Sequence, residues 1–261
     1  MRDRLHRIRE KLCRIERPSE LWPAFMALVG EESESEEGSD RQSFLDEANA
    51  VYREVLEKFL DPLTGLYTHT AFHEELTARL QSSERNGSSL VVVFLDLDHF
   101  RDYNEQSGHA RGDDFLSDFA ETLVEVDCPE HLAFRYGGDE FAVIRTSVSK
   151  EDMLQWAESM RLRTESSNDV VTLSVGVACF PSDARSRKDL VKAADDALYV
   201  AKRGGRNQVA ASGTLEERQV KPIIVEERPH DNEDDDPPAG RSGPRKPPPP
   251  DLSGGGAERL P

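Results

Sequence analysis

The feature that most constrains this chain is a glycine pair followed at once by two carboxylates, the stretch Gly137-Gly138-Asp139-Glu140. Apolar segments lie on both sides of it, His131-Leu132-Ala133-Phe134 before and Phe141-Ala142-Val143-Ile144 after. Adjacent glycines allow a sharp turn or the close approach of a ligand to the backbone. The stretch therefore predicts a β-hairpin with acid at its tip, where a metal ion and a phosphorylated ligand could sit. An ordinary hairpin with solvated carboxylates is the alternative.

A second acidic pair, Asp96 and Asp98, follows the apolar run Leu90-Val91-Val92-Val93-Phe94-Leu95. The run is rich in β-branched residues and continuously apolar, which is typical of a buried strand. We expect Asp96 and Asp98 to point to opposite faces, so that only one of them readily shares a site with the hairpin. If the two strands are neighbours, Asp96 converges with Asp139 and Glu140, and such hard oxygen ligands suit Mg²⁺ or Mn²⁺.

Two polar side chains downstream, Asn104 and Asp113, have the chemistry to read a guanine base. The Asn104 amide offers a donor and an acceptor, and the Asp113 carboxylate can accept from the paired N–H groups of guanine. Both residue types also cap helices, which is the alternative interpretation.

Three cations flank a glycine pair at the end of the last predicted helix: Lys202, Arg203 and Arg206. Because arginine and lysine bind phosphate groups well, this cluster could hold a triphosphate. Cations that merely complement a helix C-terminus are the alternative, worth at most about 1 kcal/mol.

Helical and strand patterns alternate between residues 61 and 210. The periodicity predicts helices over about 71–81, 100–107, 113–126, 150–164 and 188–203. It predicts strands over about 90–95 and 170–178, and a hairpin over about 132–144. Helices interleaved with strands indicate an α/β fold, an α+β sandwich around a central sheet.

The segments on either side of this region differ in character. Residues 1–30 predict two helices, and the first is basic and amphipathic. Such a helix most often packs on its own protein; contact with a partner or with a membrane surface is the alternative. Residues 31–42 predict an acidic linker, and residues 43–60 a stalk or signalling helix. Apolar residues of that helix step by three and four, which suits a coiled-coil seam or a stalk packed on the following domain: Phe44, Ala48, Val51, Val55 and Phe59. Residues 211–261, acidic and rich in proline and glycine, predict a disordered tail.

The net charge of −18 argues against a nucleic-acid-binding protein, which would present a basic face. Three widely separated cysteines predict neither a disulfide framework nor a zinc site. The apolar runs are too short to span a bilayer, and the N-terminus lacks the apolar core of a signal peptide. A cytoplasmic protein without membrane association is the simplest prediction.

Taken together, these motifs resemble the GGDEF-domain diguanylate cyclases, a bacterial family that condenses two GTP molecules into cyclic di-GMP and pyrophosphate. The resemblance covers about residues 61–210 and rests on blocks in the family's order: Asp61–Leu66, Phe94–Phe100, Asn104, Gly108-His109, Gly112-Asp113, Arg135–Phe141, Ser174–Ala178, Ala194–Lys202 and Gly204–Asn207. It implies a mostly antiparallel sheet with flanking helices, related to the nucleotidyl cyclase and polymerase palm folds.

The resemblance also implies a role for each motif residue. Asp96, Asp139 and the Leu97 carbonyl would bind Mg²⁺ or Mn²⁺. Glu140 would lie beside the metal and assist deprotonation of the 3′-hydroxyl, so that it and Asp139 form the catalytic pair. Substrate-binding roles fall to guanine readers, phosphate cations, backbone amides at a helix start and two glycines that leave room for the nucleotide: Asn104, Asp113, Lys202, Arg206, His99, Phe100, Arg101, Gly137 and Gly138.

In the family's chemistry each domain holds one GTP, so the resemblance implies a homodimer as the active unit. Protein partners could bind through the N-terminal helices or the tail. Two alternatives remain open: a catalytically silent GTP-binding module that acts through protein contacts, and a cyclase of relaxed base choice that makes a mixed cyclic dinucleotide.

Four departures from the family pattern stand out. Arg101 replaces the usual lysine, Glu105 the usual aspartate, and Thr68-His69 the usual Asn-Arg. Many relatives carry Arg-x-x-Asp, a product-binding inhibitory site, where this chain has Cys128-Pro129-Glu130-His131. The last departure predicts that product inhibition at this position is absent.

Overall fold

The computed structural model describes residues 2–33, 38–124 and 131–213. The predicted tail therefore lies outside the described residues except for its first three positions. Over the described residues the chain forms eight α-helices and six strands, with a short 3₁₀ helix at Glu57–Phe59. The helices are α1 Arg2–Leu12, α2 Pro18–Ser33, α3 Gly38–Leu56, α4 His69–Asn86, α5 Phe100–Ser107, α6 His109–Val124, α7 Lys150–Ser167 and α8 Arg187–Arg203. The strands are β1 Tyr67–Thr68, β2 Leu90–Asp98, β3 His131–Arg135, β4 Glu140–Thr146, β5 Thr172–Phe180 and β6 Val209–Ala211.

Within the described residues the six strands form one sheet in the order β1-β3-β4-β2-β5-β6. The four central strands pair antiparallel, and the short outer strands β1 and β6 pair parallel to β3 and β5. Helices cover both faces of the sheet. The predicted α+β sandwich with a mostly antiparallel sheet is confirmed.

Strand β2 lies at the centre, and each of its nine residues is buried. Val91, Val93 and Leu95 face one hydrophobic cluster, which includes residues of α5, α6 and α7. Val92 and Phe94 face the other, which includes residues of α4 and α8. Burial on both faces explains why this segment is continuously apolar rather than alternating.

Helices α1, α2 and α3 form a separate bundle with its own core. The apolar face of α3 is buried there, in contact with α1 and α2 through Phe44, Ala48, Val51 and Val55. The coiled-coil interpretation of this face is therefore wrong, because the chain's own helices cover it. Phe59, the last residue of the predicted seam, packs against both the bundle core and the α4/α8 side of the sheet.

The predicted linker over residues 31–42 is shorter than expected. Helix α2 continues to Ser33 and α3 begins at Gly38, while residues 34–37 lie outside the described part of the chain. Glutamate is a good helix former, so acidic residues extend a helix where they stay exposed. None of the helices in the described ranges combines the length and apolar character needed to cross a bilayer. The cytoplasmic location stays a prediction.

Candidate active site

Pairing between β2 and β4 brings the two acidic motifs together. Asp96 is the register partner of Glu140, and the Leu97 N–H donates to the Asp139 carbonyl oxygen at 3.2 Å. The predicted condition for a shared site, that these strands are neighbours, is confirmed.

The expectation that Asp96 and Asp98 point to opposite faces is wrong. Residues two apart on a strand share a face, and here Leu97 between them points into the opposite cluster. Asp98 is nevertheless occupied elsewhere. Its carboxylate accepts from the hydroxyls of Thr172 and Ser174 at 2.9 and 2.8 Å, and from the Asn207 backbone N–H at 3.0 Å.

Lys202, predicted to bind phosphate, instead contacts a predicted metal ligand. Its Nζ donates to Asp96 Oδ2 at 2.6 Å. Burial raises the pKa of the Asp96 carboxyl, while the hydrogen bond and charge of Lys202 act in the opposite direction. The ammonium thus partly neutralises a carboxylate that is otherwise buried among like charges.

Glu140 lies in the same acidic environment. Burial is the main cause of its raised pKa, and the negative charges of Asp96 and Asp139 raise it further. A Cβ added at Gly137 would lie 2.8 Å from Glu140 Oε2, the end of a flexible side chain, so a larger residue would displace the carboxylate from its present position. The first glycine of the pair therefore leaves room for the Glu140 carboxylate over the turn.

Among the described residues no three or more His, Cys, Asp and Glu side chains are grouped as they would be around a metal ion. The donor set nevertheless fits a hard divalent cation, because the carboxylates of Asp96, Asp139 and Glu140 interact unfavourably with one another. A cation among them would relieve that repulsion, and oxygen donors suit Mg²⁺ or Mn²⁺.

The predicted guanine readers line one cavity of about 570 Å³ together with the tip of the hairpin. Its walls include Asn104 and Asp113 from α5 and α6, and Gly138 and Asp139 from the hairpin. Phe100 and Arg101, predicted to act through backbone amides, also line it. The residues predicted to read the base and the acidic tip of the hairpin therefore open onto the same space.

The Asn104 Oδ1 atom is buried and has no hydrogen-bond partner among the described residues. Buried polar atoms are rarely left unpaired unless a ligand or water completes them. Gly112 makes room for this atom, since a Cβ there would lie 1.8 Å from Asn104 Oδ1. Asn104 Oδ1, in the space left by Gly112, is thus an unpaired acceptor to which an N–H group of a base could donate.

The start of α5 is also arranged to receive an anion. His99 adopts a left-handed conformation at the N-cap, with φ of 59°, and no side chain caps the helix. Backbone N–H groups at a helix start favour phosphate oxygens. The predicted role of the amides of His99, Phe100 and Arg101 is compatible with this geometry and stays a prediction.

The loop after α8 carries Arg206, whose Nε lies 3.9 Å from Asp98 Oδ1. Arg206 and Asn207 both have positive φ, 64° and 45°, a conformation that needs support in residues other than glycine. Asn207 receives that support from α7: it accepts from Arg161 at 2.8 Å and donates to Glu165 at 2.7 Å.

Sequence reasoning missed these supporting residues of the Arg206 loop. Arg161 and Glu165 are four apart on α7, and such a pair reads as an ordinary exposed ion pair. Sequence reasoning also assigned no role to Arg135. Arg135 donates to the Gly138 carbonyl at 2.9 Å and to Asp61 Oδ1 at 3.0 Å, and so ties the hairpin tip to the loop before β1.

Comparison with known proteins places the chain in a family. The family model for "Diguanylate cyclase, GGDEF domain" matches residues 58–208, more than half of the 261 residues. The chain belongs to the GGDEF domain family, as its motifs predict.

Two curated relatives and one solved structure illustrate the similarity. Diguanylate cyclase DosC of Escherichia coli K12 is 33% identical over 158 residues, which cover 58% of this chain and 34% of DosC. Cyclic di-GMP phosphodiesterase NbdA of Pseudomonas aeruginosa is 34% identical over 190 residues, which cover 70% of this chain and 24% of NbdA. The coiled coil and GGDEF domain of DgcB from Caulobacter crescentus, in complex with c-di-GMP, superposes with a TM-score of 0.59 at 30% identity over 66% of this chain and 96% of that one.

The chain therefore spans only about a quarter to a third of the length of these curated relatives, 24% of NbdA and 34% of DosC. Because the two relatives have different names for their activities, the match establishes the domain and not the activity of this chain.

Proposed function

We propose that this protein is a diguanylate cyclase, which joins two GTP molecules into cyclic di-GMP and releases two pyrophosphates. One observation carries the proposal. A single cavity is lined at once by the guanine-reading pair Asn104 and Asp113 and by Gly138 and Asp139 of the acidic hairpin. A nucleotide bound by its base in this cavity would extend its phosphates towards Asp96 and Glu140.

Each step of the reaction forms a bond between a ribose 3′-oxygen and an α-phosphorus, and breaks the bond from that phosphorus to the pyrophosphate. Glu140 is suited to accept or relay the 3′-hydroxyl proton, because a carboxyl with a raised pKa is a better base at neutral pH. When bound by Asp96, Asp139, Glu140 and the Leu97 carbonyl, Mg²⁺ or Mn²⁺ would supply electrostatic stabilisation of the phosphoryl oxygens.

Lys202 and Arg206 would hold the phosphates in this proposal. Lys202 must then exchange Asp96 for a phosphate oxygen, a short movement for a flexible side chain that already lies at the acidic cluster. Arg206 is presented by the loop that Asn207, Arg161 and Glu165 support. Pyrophosphate would leave from between these cations.

The described residues form one such cavity, and the product contains two guanosines, so we propose that two copies of the chain face each other during catalysis. Product formation should then rise more steeply than linearly with protein concentration. Incubating the full chain with GTP and Mg²⁺ or Mn²⁺ at several protein concentrations, with product identified by mass spectrometry, tests activity and dimer dependence together. Absence of product from a sample shown to be dimeric would refute the proposal.

A GTP-binding module without cyclase activity is the second candidate. It is favoured by the similarity to NbdA, a protein named for phosphodiesterase activity. GTP binding without turnover in a dimeric sample would support it. Competition with ATP in the same assay tests the mixed-dinucleotide alternative, which the base chemistry of Asn104 and Asp113 disfavours.

We also propose that the product-inhibition site of many relatives is missing. Cys128, Pro129 and Glu130 lie outside the described residues, but His131 is buried and its Nε2–H donates to the Leu123 carbonyl at 2.8 Å. Burial lowers its pKa, so His131 is a neutral packing residue where relatives carry a carboxylate. Tight binding of cyclic di-GMP that disappears on substitution of residues 128–131 would contradict this.

A further inference from the structure

Two histidines at the start of α4 form a cluster that the proposed reaction does not use. His69 and His73 are four residues apart, so they lie on the same face of the helix. Their Nε2 atoms are 3.2 Å apart, and the two rings meet edge to face with centroids 4.5 Å apart. His69 is exposed and His73 is half-buried, so the pair lies at the surface of the domain.

This separation is that of a hydrogen bond between one protonated and one unprotonated ring nitrogen, and it is also close to the separation that a shared metal ion requires. Zinc–imidazole distances of about 2.0–2.1 Å in a tetrahedral site place two nitrogen donors about 3.3 Å apart. The same spacing, two histidines four apart on one helix face, supplies the imidazole ligands in the His-Glu-x-x-His zinc motif.

We propose that His69 and His73 bind one divalent transition-metal ion, of the class Zn²⁺, Ni²⁺ or Cu²⁺, through their Nε2 atoms. Water fills the remaining positions, since no third His, Cys, Asp or Glu joins the pair in the described part of the chain. Two imidazoles select borderline metals over Mg²⁺, which prefers oxygen donors. The site is therefore chemically distinct from the acidic cluster at Asp96 and Asp139.

The histidine pair also contacts the catalytic hairpin. The His69 ring packs on Tyr136 with centroids 4.5 Å apart, and His73 lies 6.0 Å from the same ring. Tyr136 immediately precedes Gly137, and its backbone N–H donates to the Glu140 carbonyl at 2.8 Å. A metal ion bound by both imidazoles would restrict the two rings that pack on Tyr136. The site is therefore placed to influence the conformation of the hairpin tip that begins at Gly137.

The test uses the full chain, stripped of metals with a chelator and kept in excess Mg²⁺ so that the acidic cluster is saturated. Cu²⁺ is titrated by calorimetry, and its electron paramagnetic resonance spectrum is recorded for coupling to imidazole nitrogen. The wild type is expected to bind one ion with two nitrogen couplings. His69→Gln and His73→Gln should each weaken this binding about tenfold or more, because one of two protein ligands is lost.

His6→Gln is the matched control. His6 Nε2 lies 3.9 Å from Glu10 Oε1, and the two residues form a comparable exposed pair, four residues apart on α1. It should leave Cu²⁺ binding unchanged. Equal binding by the wild type and His69→Gln, or a spectrum without nitrogen coupling, would overturn the proposal. Because His69 is exposed, its substitution is compatible with folding, so a folding defect in His73→Gln would leave the test intact.

Discussion

Lys202 Nζ lies 2.6 Å from Asp96 Oδ2, which pairs a predicted phosphate-binding cation with a predicted metal-binding carboxylate. The ammonium and a divalent cation would compete for the same oxygen atom. Substrate would relieve the competition, because its phosphates offer Lys202 another anionic partner. Metal binding and nucleotide binding at this site should therefore support each other.

The first prediction follows from this competition. Lys202→Ala should tighten Mn²⁺ binding measured without nucleotide, by about three- to tenfold, because a charge-assisted hydrogen bond no longer occupies Asp96. The same change should weaken GTP binding. Mn²⁺ binding is measured by electron paramagnetic resonance, and GTP binding by calorimetry. Lys192→Ala, which removes an exposed ion pair with Asp196, is the control and should change neither. Weaker Mn²⁺ binding in Lys202→Ala would show that the two cations do not compete.

The second prediction concerns the space around Asn104. Gly112→Ala places a methyl group 1.8 Å from the present position of Asn104 Oδ1, so the amide must move. GTP binding should weaken about two- to tenfold, since the displaced Asn104 amide would lose its proposed hydrogen bond to the base, worth about 0.5–1.5 kcal/mol. Helix stability should not fall, because alanine is favoured over glycine within a helix by about 1 kcal/mol.

Calorimetric titration with GTP and urea unfolding together check this prediction. Gly30→Ala is the control, because an added Cβ there meets nothing within 4 Å. Unchanged GTP binding in Gly112→Ala would mean that Asn104 does not read the base.

Much of this fold follows from local patterns in the sequence. Strand β2 and the hairpin are recognisable because an apolar run and a glycine pair are strong signals within a few residues. Strands β1 and β6 were not predicted, since they are two and three residues long and exist only through pairing with β3 and β5. Their own sequences carry too few residues for a periodic signal.

The partners of a predicted element were harder to foresee than the element itself. The spacing of Phe44, Ala48, Val51 and Val55 correctly indicates an apolar face on α3, but periodicity contains no information on what covers that face. The same limit applies to Lys202 and Asp96, which are 106 residues apart in the chain. The sequence predicts a role for Lys202 and a role for Asp96, and only the fold shows that the two side chains are in contact.

The third prediction concerns the contact between the N-terminal bundle and α4. Glu75 on α4 is fully buried and its Oε1 accepts from the Ser19 backbone N–H at 2.7 Å, at the start of α2. Glu75→Ala should lower the free energy of unfolding by about 1.5–3 kcal/mol, because the Ser19 N–H loses its carboxylate acceptor and Arg79 loses the buried carboxylate that lies 3.4 Å from its Nε. Urea unfolding measures the change. Glu74→Ala, at the exposed neighbouring position, should change stability by less than about 0.5 kcal/mol. Equal effects of the two changes would mean that the hydrogen bond from Ser19 to Glu75 does not hold the bundle to α4.

The fourth prediction uses pH to test the acidic site without any assay of activity. The pKa of Glu140 is raised in the folded chain, mainly by burial and then by Asp96. Between the unfolded and folded pKa values the folded chain binds more protons than the unfolded chain, so stability falls as pH rises through this range. At neutral pH the ionised Glu140 therefore destabilises the fold. Glu140→Gln should raise the urea midpoint at pH 7, and the gain should vanish near pH 4, where the wild-type carboxyl is protonated.

Glu158 supplies a control of opposite sign. The hydrogen bond from Arg161 lowers its pKa, so its ionised form stabilises the folded chain. Glu158→Gln should therefore lower the urea midpoint at pH 7, by a small amount because the side chain is half-exposed. The loss should shrink as the pH falls from the unfolded pKa to the lower folded pKa, and vanish below it. A gain for Glu140→Gln that does not depend on pH would instead indicate better packing of the amide. A loss at pH 7 would show that Glu140 is held by favourable partners, which contradicts an acidic cluster arranged to receive a cation.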